Sequence, residues 1–475
     1  MQSRITLLLL LLLGASFGLL TTVPAGQALA FSGDVQHDGR VGPEDVIAAL
    51  QVQDGNAGEL GVTAAADVDG DGRIGLAEAV FGLQNLGAGV RRPFPAHLDY
   101  GAGTIRPTNH TRQEQDDHVR ALYDHWKADF LVGAGTDSQG HALYRVATGI
   151  GSAATVSEGQ GFGMLITVLM AGHDPDARTL FDGLWYYARA FPSGIDPRLM
   201  TWKIQDNTVV EGNDSAFDGD SDIGLALLLA DAQWGSDTGP VDYLHEARNL
   251  IQAIEESTIG PESRLPLLGD WVDPAGSVYN QFGFRSSDFM PAHFRCFARA
   301  SGDPGWNQVI AATAAAIQTI QEEHSPLTGL LPDFIVQCQA GACLPASPYF
   351  LEGPHDGHYY YNAGRDPWRI GMDALLNGDP VSRMIVRRMI DWLVAATGGD
   401  PANIKAGYKL DGTPISNYFT AFFLAPFGVA AMTAPDYQQF LNGLYDRVYA
   451  SREGYYEDSV NLLAMLVMTG NFWLP

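Results

Sequence analysis

Thr155-Val156-Ser157-Glu158-Gly159-Gln160-Gly161-Phe162-Gly163-Met164 sets one carboxylate among three glycines, directly ahead of an apolar run that continues to Ala171. Glycine lets another backbone or a ligand approach closely, and Ser157 stands where an N-cap would start the following helix. A Glu at a helix start also has a plain reading, as a charge that complements the helix dipole. The rest of the chain decides between the two.

From Asp116 onward the periodic segments are nearly all helical. Apolar residues recur at three and four, as in Phe181, Leu184, Trp185 and Ala188, or Ile310, Ala314 and Ile317. Twelve helices are predicted: 116–132, 161–172, 177–191, 220–235, 242–259, 285–302, 305–325, 367–379, 380–399, 416–433, 434–451 and 456–472. Pro175, Gly235, Gly302, Pro380 and Pro435 mark several of their ends. The connections are short after the second, fourth, sixth, eighth and tenth helices. They are long after the first, third, fifth, seventh and ninth. In an antiparallel array every second connection lies at the same end, so the long loops gather on one face, where function usually sits. That alternation suits a closed ring of six helical hairpins; an open helical-repeat solenoid is the alternative.

The long loops carry a consistent chemistry. Glu158 ends the first. The second holds Trp202, Asp206 and Asp214 and runs into Ser215-Ala216-Phe217-Asp218-Gly219-Asp220-Ser221-Asp222. The third holds Trp271, Asp273 and Tyr279. The fourth holds Phe350-Leu351-Glu352-Gly353 and Tyr359-Tyr360-Tyr361-Asn362, followed by Arg365, and the fifth holds Tyr408. Aromatic rings stack on pyranose faces, carboxylates bond hydroxyl or ammonium groups, and a pair of acids cleaves an acetal. The face reads as a sugar groove.

Whole-chain properties set the frame. At 475 residues, 46% hydrophobic and 17% charged, the chain can hold one large domain and a small one. A net charge of −27 makes nucleic acid and anionic membranes poor partners. Residues 1–30 read as an export signal: Arg4, the apolar run Leu7 to Leu13, and Ala28-Leu29-Ala30 as a small-residue cleavage site. The apolar run is short for a membrane span. A secreted protein, extracellular or periplasmic, is expected, with no membrane association after cleavage. Of three cysteines, Cys338 and Cys343 stand close enough to close a small disulfide loop, and Cys296 falls on an apolar helical pattern as a buried thiol.

Two acidic loops precede the large domain. Asp67, Asp69, Asp71 and Glu78 occupy positions 1, 3, 5 and 12 of a calcium loop, with Gly72 at position 6. Asp34, Gln36, Asp38, Gly39 and Asp45 repeat the frame with an amide at position 3. Arg40 and Arg73 fall at position 7, which contributes a backbone carbonyl. An acidic turn pair without metal is the alternative. Asp in place of Glu at position 12 of the first loop resembles the dockerin duplication, over about residues 31–88. That resemblance implies a small helical, Ca2+-stabilised module that docks onto a partner such as a scaffold protein. Residues 89–112, rich in Pro and Gly, read as a linker or an extended lead-in.

The large domain, residues 113–475, resembles glycoside hydrolase family 8. The resemblance rests on Ser157 to Met164, Asp218-Gly219-Asp220-Ser221-Asp222-Ile223 and Tyr361-Asn362-Ala363-Gly364-Arg365-Asp366-Pro367-Trp368-Arg369. The closing stretch Asp458 to Trp473 is similar too. It implies an (α/α)6 barrel and endo-acting, inverting hydrolysis of β-1,4-linked glycans without a catalytic cofactor. It further implies Glu158 as general acid and Asp218 as the carboxylate that holds and distorts the sugar. Phe217 replaces the usual Ser or Thr before that Asp, which leaves Asp220 as the alternative; Asp222 is expected to satisfy backbone donors. Many members carry Asp where this chain has Asn362, and an amide cannot take a proton from water. A subgroup pairs this Asn with a Glu on an inserted loop upstream, and Glu352 matches that element as general base. Trp202, Trp271, Tyr361, Asn362, Arg365 and Tyr408 are expected to bind substrate or order the water. The subgroup includes chitosanases and mixed-linkage β-glucanases, so chitosan, mixed-linkage β-glucan and cellulose all stand as substrates. A catalytically silent glycan-binding or scaffold-assembled protein is the rival from another class, and a metal-dependent lyase or deacetylase lacks a clustered His/Asp set.

Overall fold

The computed structural model describes residues 31–56, 64–237, 239–339 and 341–475; the expected export segment 1–30 lies outside them. Fourteen α-helices form among the described residues. Two belong to the N-terminal module, α1 (Pro43–Gln53) and α2 (Leu76–Ala88). The other twelve are α3 (Arg112–Phe130), α4 (Ser157–Leu169), α5 (Ala177–Ala190), α6 (Phe217–Trp234), α7 (Tyr243–Thr258), α8 (Pro291–Ser301), α9 (Gly305–Glu323), α10 (Asp366–Leu376), α11 (Pro380–Thr397), α12 (Ala425–Ala431), α13 (Gln438–Ala450) and α14 (Tyr455–Met468).

Helices α4, α6, α8, α10, α12 and α14 each pack on the next, and α14 returns to α4. The ring is therefore closed, which excludes the solenoid. The odd-numbered helices from α3 to α13 pack on this ring from outside. Sequence explains the division. The inner α6 reads Ile223-Gly224-Leu225-Ala226-Leu227-Leu228-Leu229-Ala230 and is buried on every side. The outer α7 buries one stripe, Tyr243, Ala247, Leu250, Ile251 and Ile254, and turns His245, Arg248 and Gln252 to water.

Two helices are shorter than their periodicity suggests. The segment 285–302 becomes helical only at Pro291, which fits the first helical turn and lacks an N–H to satisfy. Within 416–433 the helix spans only Ala425–Ala431. The all-α expectation holds for the barrel but not for its loops. Three small antiparallel sheets form there: β1 (Leu131–Thr136) with β2 (Ala142–Val146); β3 (Ala154–Val156) with β4 (Lys203–Gln205) and β5 (Thr208–Val209); and β6 (Phe284–Arg285) with β7 (Phe334–Gln339) and β8 (Ala342–Pro345). The strands are too short to show a period, and β3–β4 and β6–β7 pair across different loops. Cys338 and Cys343 form a disulfide across the β7–β8 hairpin, and Cys296 is a buried free thiol.

Residues 90–105 run extended and are packed down, not loose: Phe94, Ala96, Leu98 and Tyr100 are buried in the barrel core. This strap crosses the C-terminal ends of the inner helices, whose last carbonyls have no partner within the helix. Arg91 N–H donates to Gln233 O at 3.1 Å, Phe94 N–H to Ala171 O at 2.6 Å, Leu98 N–H to Gly470 O at 2.7 Å and Ile105 N–H to Met432 O at 2.9 Å. The N-terminal module, with its own small core of Val35, Val46, Ala49, Ile74 and Ala79, sits at this end. Phe31 meets Trp473 edge-on, with the Arg92 guanidinium over both rings.

Candidate active site

The inner helices begin at the long-loop face, so their first turns converge there. Glu158 lies in the first turn of α4 and Asp218 in the first turn of α6. Glycine makes this approach possible. A Cβ on Gly219 would lie 2.5 Å from the Ser157 carbonyl carbon and 2.7 Å from the Glu158 nitrogen. One on Gly161 would lie 2.9 Å from the Gly219 oxygen. The two helices thus touch backbone to backbone. Ser157 is not the N-cap: Val156 holds that place in extended conformation, and Ser157 N–H continues the strand pairing to Trp202 O at 2.9 Å.

Arg365, just ahead of α10, is the hub. Its Nη1 donates to Glu158 Oε1 and to Asp218 Oδ2, the latter at 2.8 Å. Its Nη2 donates to Ser287 Oγ at 2.9 Å and Asn362 Oδ1 at 3.0 Å, and Nε to Asn362 O at 3.3 Å. Every N–H of the guanidinium is used. Burial pushes the Glu158 carboxyl up to about 7; Arg365 opposes this and Asp218 adds to it. For Asp218 burial also disfavours charge, but Arg365 and then Arg285 outweigh it and hold the group below its ordinary value. One acid is kept protonatable and its neighbour ionised.

Asn362 turns its Nδ2 outward, donating to Glu352 Oε2 at 2.8 Å and to the buried Asp333 at 3.4 Å. The opposite oxygen, Glu352 Oε1, accepts from Arg285 Nη2 at 3.1 Å. The Glu352 loop is held by Asp356, whose carboxylate accepts Leu351 N–H at 2.7 Å, Glu352 N–H at 3.0 Å and Gly353 N–H at 2.8 Å. Asp333 fixes the other side, accepting Tyr360 N–H at 2.9 Å and Ala363 N–H at 2.8 Å.

Glu158, Asp218, Glu352, Asn362, Arg365, Tyr361 and Trp202 line one cavity of about 240 Å3. It shares Trp202, Arg285 and Glu352 with an adjoining hollow of about 450 Å3 that adds Trp271 and Asp214, giving a continuous groove. Tyr361 stacks on Phe422 with centroids 5.3 Å apart, and its hydroxyl meets that of Tyr418 at 3.2 Å. A largely buried protonatable carboxyl and a solvent-reaching carboxylate in one aromatic-lined groove are what acid–base cleavage of an acetal needs.

Three expectations change. Tyr408 is only 4% exposed, its hydroxyl accepts Lys405 N–H at 2.6 Å, and its ring packs edge-on against Trp392, so it offers no face to sugar. Asp222 serves no backbone donor; it pairs bidentately with Arg369 at 2.7 and 2.6 Å and accepts from His293 at 2.9 Å. Asp220 is buried away from the groove, with Oδ1 on Met200 N–H at 2.9 Å. Arg285, Asp333 and Asp356 were missed by sequence reasoning. Asp356 had a signal, an Asp shortly after a Glu-Gly-Pro turn. Arg285 was expected to open a helix but ends the two-residue strand β6, and Asp333 stands just ahead of β7, so no local period singles out either.

In the N-terminal module, carboxylate oxygens of Asp34, Asp38 and Asp45 lie within 4.8 Å of one another, as do those of Asp67, Asp69 and Asp71. Burial, with Asp45 close by, raises the Asp34 carboxyl to about 6. Gln36 contributes its N–H to Asp45, Arg40 pairs with Asp38, Arg73 N–H bonds Asp71, and Glu78 accepts Val68 and Gly75 N–H groups. Crowded hard oxygen donors of this kind fit Ca2+ better than any softer metal.

Ring closure, the three convergent helix starts and the paired acids define a glycoside hydrolase acting as an endo-glycanase. Residues 115–470 match glycosyl hydrolases family 8, and the chain belongs to that family, whose fold is the (α/α)6 barrel. It is 43% identical over 390 residues to a β-glucanase of Niallia circulans, covering 81% of this chain and 92% of that one. It is 32% identical to endoglucanase A of Acetivibrio thermocellus, covering 82% and 75%. The solved apo structure of a β-1,3-1,4-glucanase from Paenibacillus sp. X4 superposes with a TM-score of 0.76 at 42% identity, covering 81% of this chain and 99% of that chain.

Proposed function

We propose that this protein is a secreted, inverting endo-glycanase that cleaves β-1,4 bonds of a mixed-linkage β-glucan. Glu158 gives its proton to the leaving glycosidic oxygen. Glu352 takes a proton from the attacking water on the opposite side, and Asp218 bonds the sugar beside the broken bond. Asn362 is not the base. Its amide is an oriented donor that holds Glu352 while Arg365 holds its carbonyl. The carrying observation is that Glu158 and Glu352 line one cavity and are linked through Arg365 and Asn362.

The choice of a neutral glucan over chitosan rests on the relatives: two of the three named above are called β-glucanase and β-1,3-1,4-glucanase, and the third endoglucanase A. The test is reducing-end release from mixed-linkage glucan, chitosan, carboxymethylcellulose and xylan. Fastest release from chitosan overturns the substrate; binding without hydrolysis of any polymer would favour the silent-protein reading.

The acidic loops are assigned to Ca2+, held by Asp34, Asp38 and Asp45 in one site and Asp67, Asp69 and Asp71 in the other. The ion supplies no catalytic chemistry, since the module lies at the barrel end away from the groove. Docking to a scaffold protein is supported by Ile47, Leu50, Leu76, Val80 and Leu83, which stand exposed on α1 and α2.

A further inference from the structure

We infer that Arg285 is the positioning residue of the general base, an inference that rests on Glu352 being that base. Glu352 is on a turn and its side chain is 47% exposed. A glutamate so placed samples many rotamers, whereas a general base must stand within hydrogen-bond reach of one water. Two donors remove that freedom, Asn362 on Oε2 at 2.8 Å and Arg285 on Oε1 at 3.1 Å.

Arg285 is itself fixed. Its backbone pairs with Phe334 across β6–β7, and its guanidinium lies 5.3 Å from the centroid of the Phe334 ring. Phe334 also packs against Phe350 of the base loop, centroids 5.6 Å apart, so cation and loop share one aromatic platform. The guanidinium is 15% exposed, and its Nη1 is buried without a hydrogen-bond partner, while Glu352 accepts from Nη2. A cation so nearly buried is costly unless paired, so the pairing works in both directions: Arg285 orients the Glu352 carboxylate, and Glu352 offsets the burial of Arg285. Arg285 therefore acts through Glu352 and sets its direction.

The test compares Arg285→Ala, Arg285→Lys, Glu352→Gln and the double variant Arg285→Ala/Glu352→Gln on soluble mixed-linkage glucan. Arg285→Ala is expected to lower kcat by up to about 10²-fold, the cost of misplacing one reacting group, with KM little changed. Arg285→Lys keeps a cationic donor but loses the planar fork, and should recover only part of kcat. On the Glu352→Gln background, Arg285→Ala should add no further loss. Full activity of Glu352→Gln overturns the base assignment itself. An inactive Glu352→Gln beside an Arg285→Ala of unchanged kcat overturns only the role of Arg285. So does a further loss in the double variant, since Arg285 would then act independently of Glu352.

Discussion

The Asn362 carboxamide donates to Glu352 at 2.8 Å because Arg365 holds its other end at 3.0 Å. An amide has one accepting and one donating end, and this arrangement uses each where it fits. A carboxylate at position 362 would face Glu352 and Asp333 together, three acids around one point. Asn at 362 and Glu at 352 are therefore a matched pair.

Glu352→Gln keeps the shape and the hydrogen bonds but removes the proton acceptor. Turnover should fall by about 10²–10⁴, with substrate affinity little changed. Azide needs no deprotonation and should restore part of the rate, releasing a glycosyl azide of inverted configuration. Asn362→Asp alone should slow the enzyme, since it replaces a donor with a like charge. On the Glu352→Gln background it should return some activity if position 362 still reaches the water. Near-wild-type turnover by Glu352→Gln sinks the base assignment.

Glu158 must carry a proton to act, and burial raises its carboxyl to about 7. Below that pH the acid is loaded; above it the proton is lost. The alkaline limb of kcat/KM should therefore fall near pH 7, well above the range of an ordinary Glu. Glu158→Gln should abolish polymer hydrolysis while sparing substrates with a leaving group that needs no protonation, such as a dinitrophenyl glycoside. An alkaline limb unmoved in an Asp218→Asn variant would count against the charge coupling seen here, because Asp218 contributes to the upward shift.

Legibility of the sequence followed physical range. Eleven of the barrel helices were readable because each repeats a local period over ten or more residues, and alternating loop lengths announced the hairpin ring; α12, with 7 residues, is too short to do so. Glu158 was readable as a carboxylate among glycines at a helix start, whereas Asp218 was singled out by the motif that resembles the family's. Arg285 and Asp333 were not. Their importance lies in contacts with residues tens of positions away, such as Arg285 with Glu352. Tyr408 failed for the opposite reason: an aromatic in a long loop looks like a sugar platform until its hydroxyl is found bonded to Lys405 N–H. The strands failed because runs of two to six residues show no period.

Gly219→Ala tests the helix contact that brings the two carboxylates together. The new methyl group would meet Ser157 and Glu158 backbone atoms at 2.5 and 2.7 Å, and backbone cannot swing aside. Overpacking of this kind costs about 1–3 kcal/mol. The melting temperature should drop and kcat should fall together, because α6 must move away from α4 and take Asp218 with it. Alanine tolerated without loss of either would show that the two helices can separate freely.

Asp222, Arg369 and His293 form a buried polar cluster beneath the groove. Burial disfavours the Asp222 charge, but Arg369 and His293 together outweigh it and bring the group down to about 2 from its ordinary 3.8. A depressed carboxyl stabilises the fold above its unfolded value and loses that contribution as pH falls from about 4 towards 2. Asp222→Asn leaves Arg369 buried without its counter-ion, a loss of about 3–5 kcal/mol. Denaturant melts of both proteins should differ strongly at pH 7 and converge near pH 2.

Arg92 ties the acidic module to the barrel, and this sets the last expectation. Its Nε donates to Gly39 O at 3.0 Å inside the first acidic loop, and its Nη1 donates to Leu474 O at 3.1 Å at the end of the barrel chain. Its guanidinium lies over both Phe31 and Trp473. A cation that orders the loop from Asp34 to Asp45 therefore also anchors the strap and the last residues of the barrel. An ion present at about 100 times its dissociation constant adds about 2.7 kcal/mol to the folded state. In the full chain, calcium should raise the melting temperature and a chelator should lower it. Asp34→Ala should remove most of that increment. Asp67→Ala should remove less, because it is the first loop, through Gly39, that Arg92 ties to the barrel. Arg92→Ala should lower the melting temperature and shrink the calcium increment while leaving kcat at 25 °C unchanged, since the groove is at the opposite end. Scanning calorimetry of the four proteins with and without calcium decides it. A melting temperature indifferent to chelator would refute the calcium assignment, and a full calcium increment in Arg92→Ala would show that the loop and the barrel melt separately.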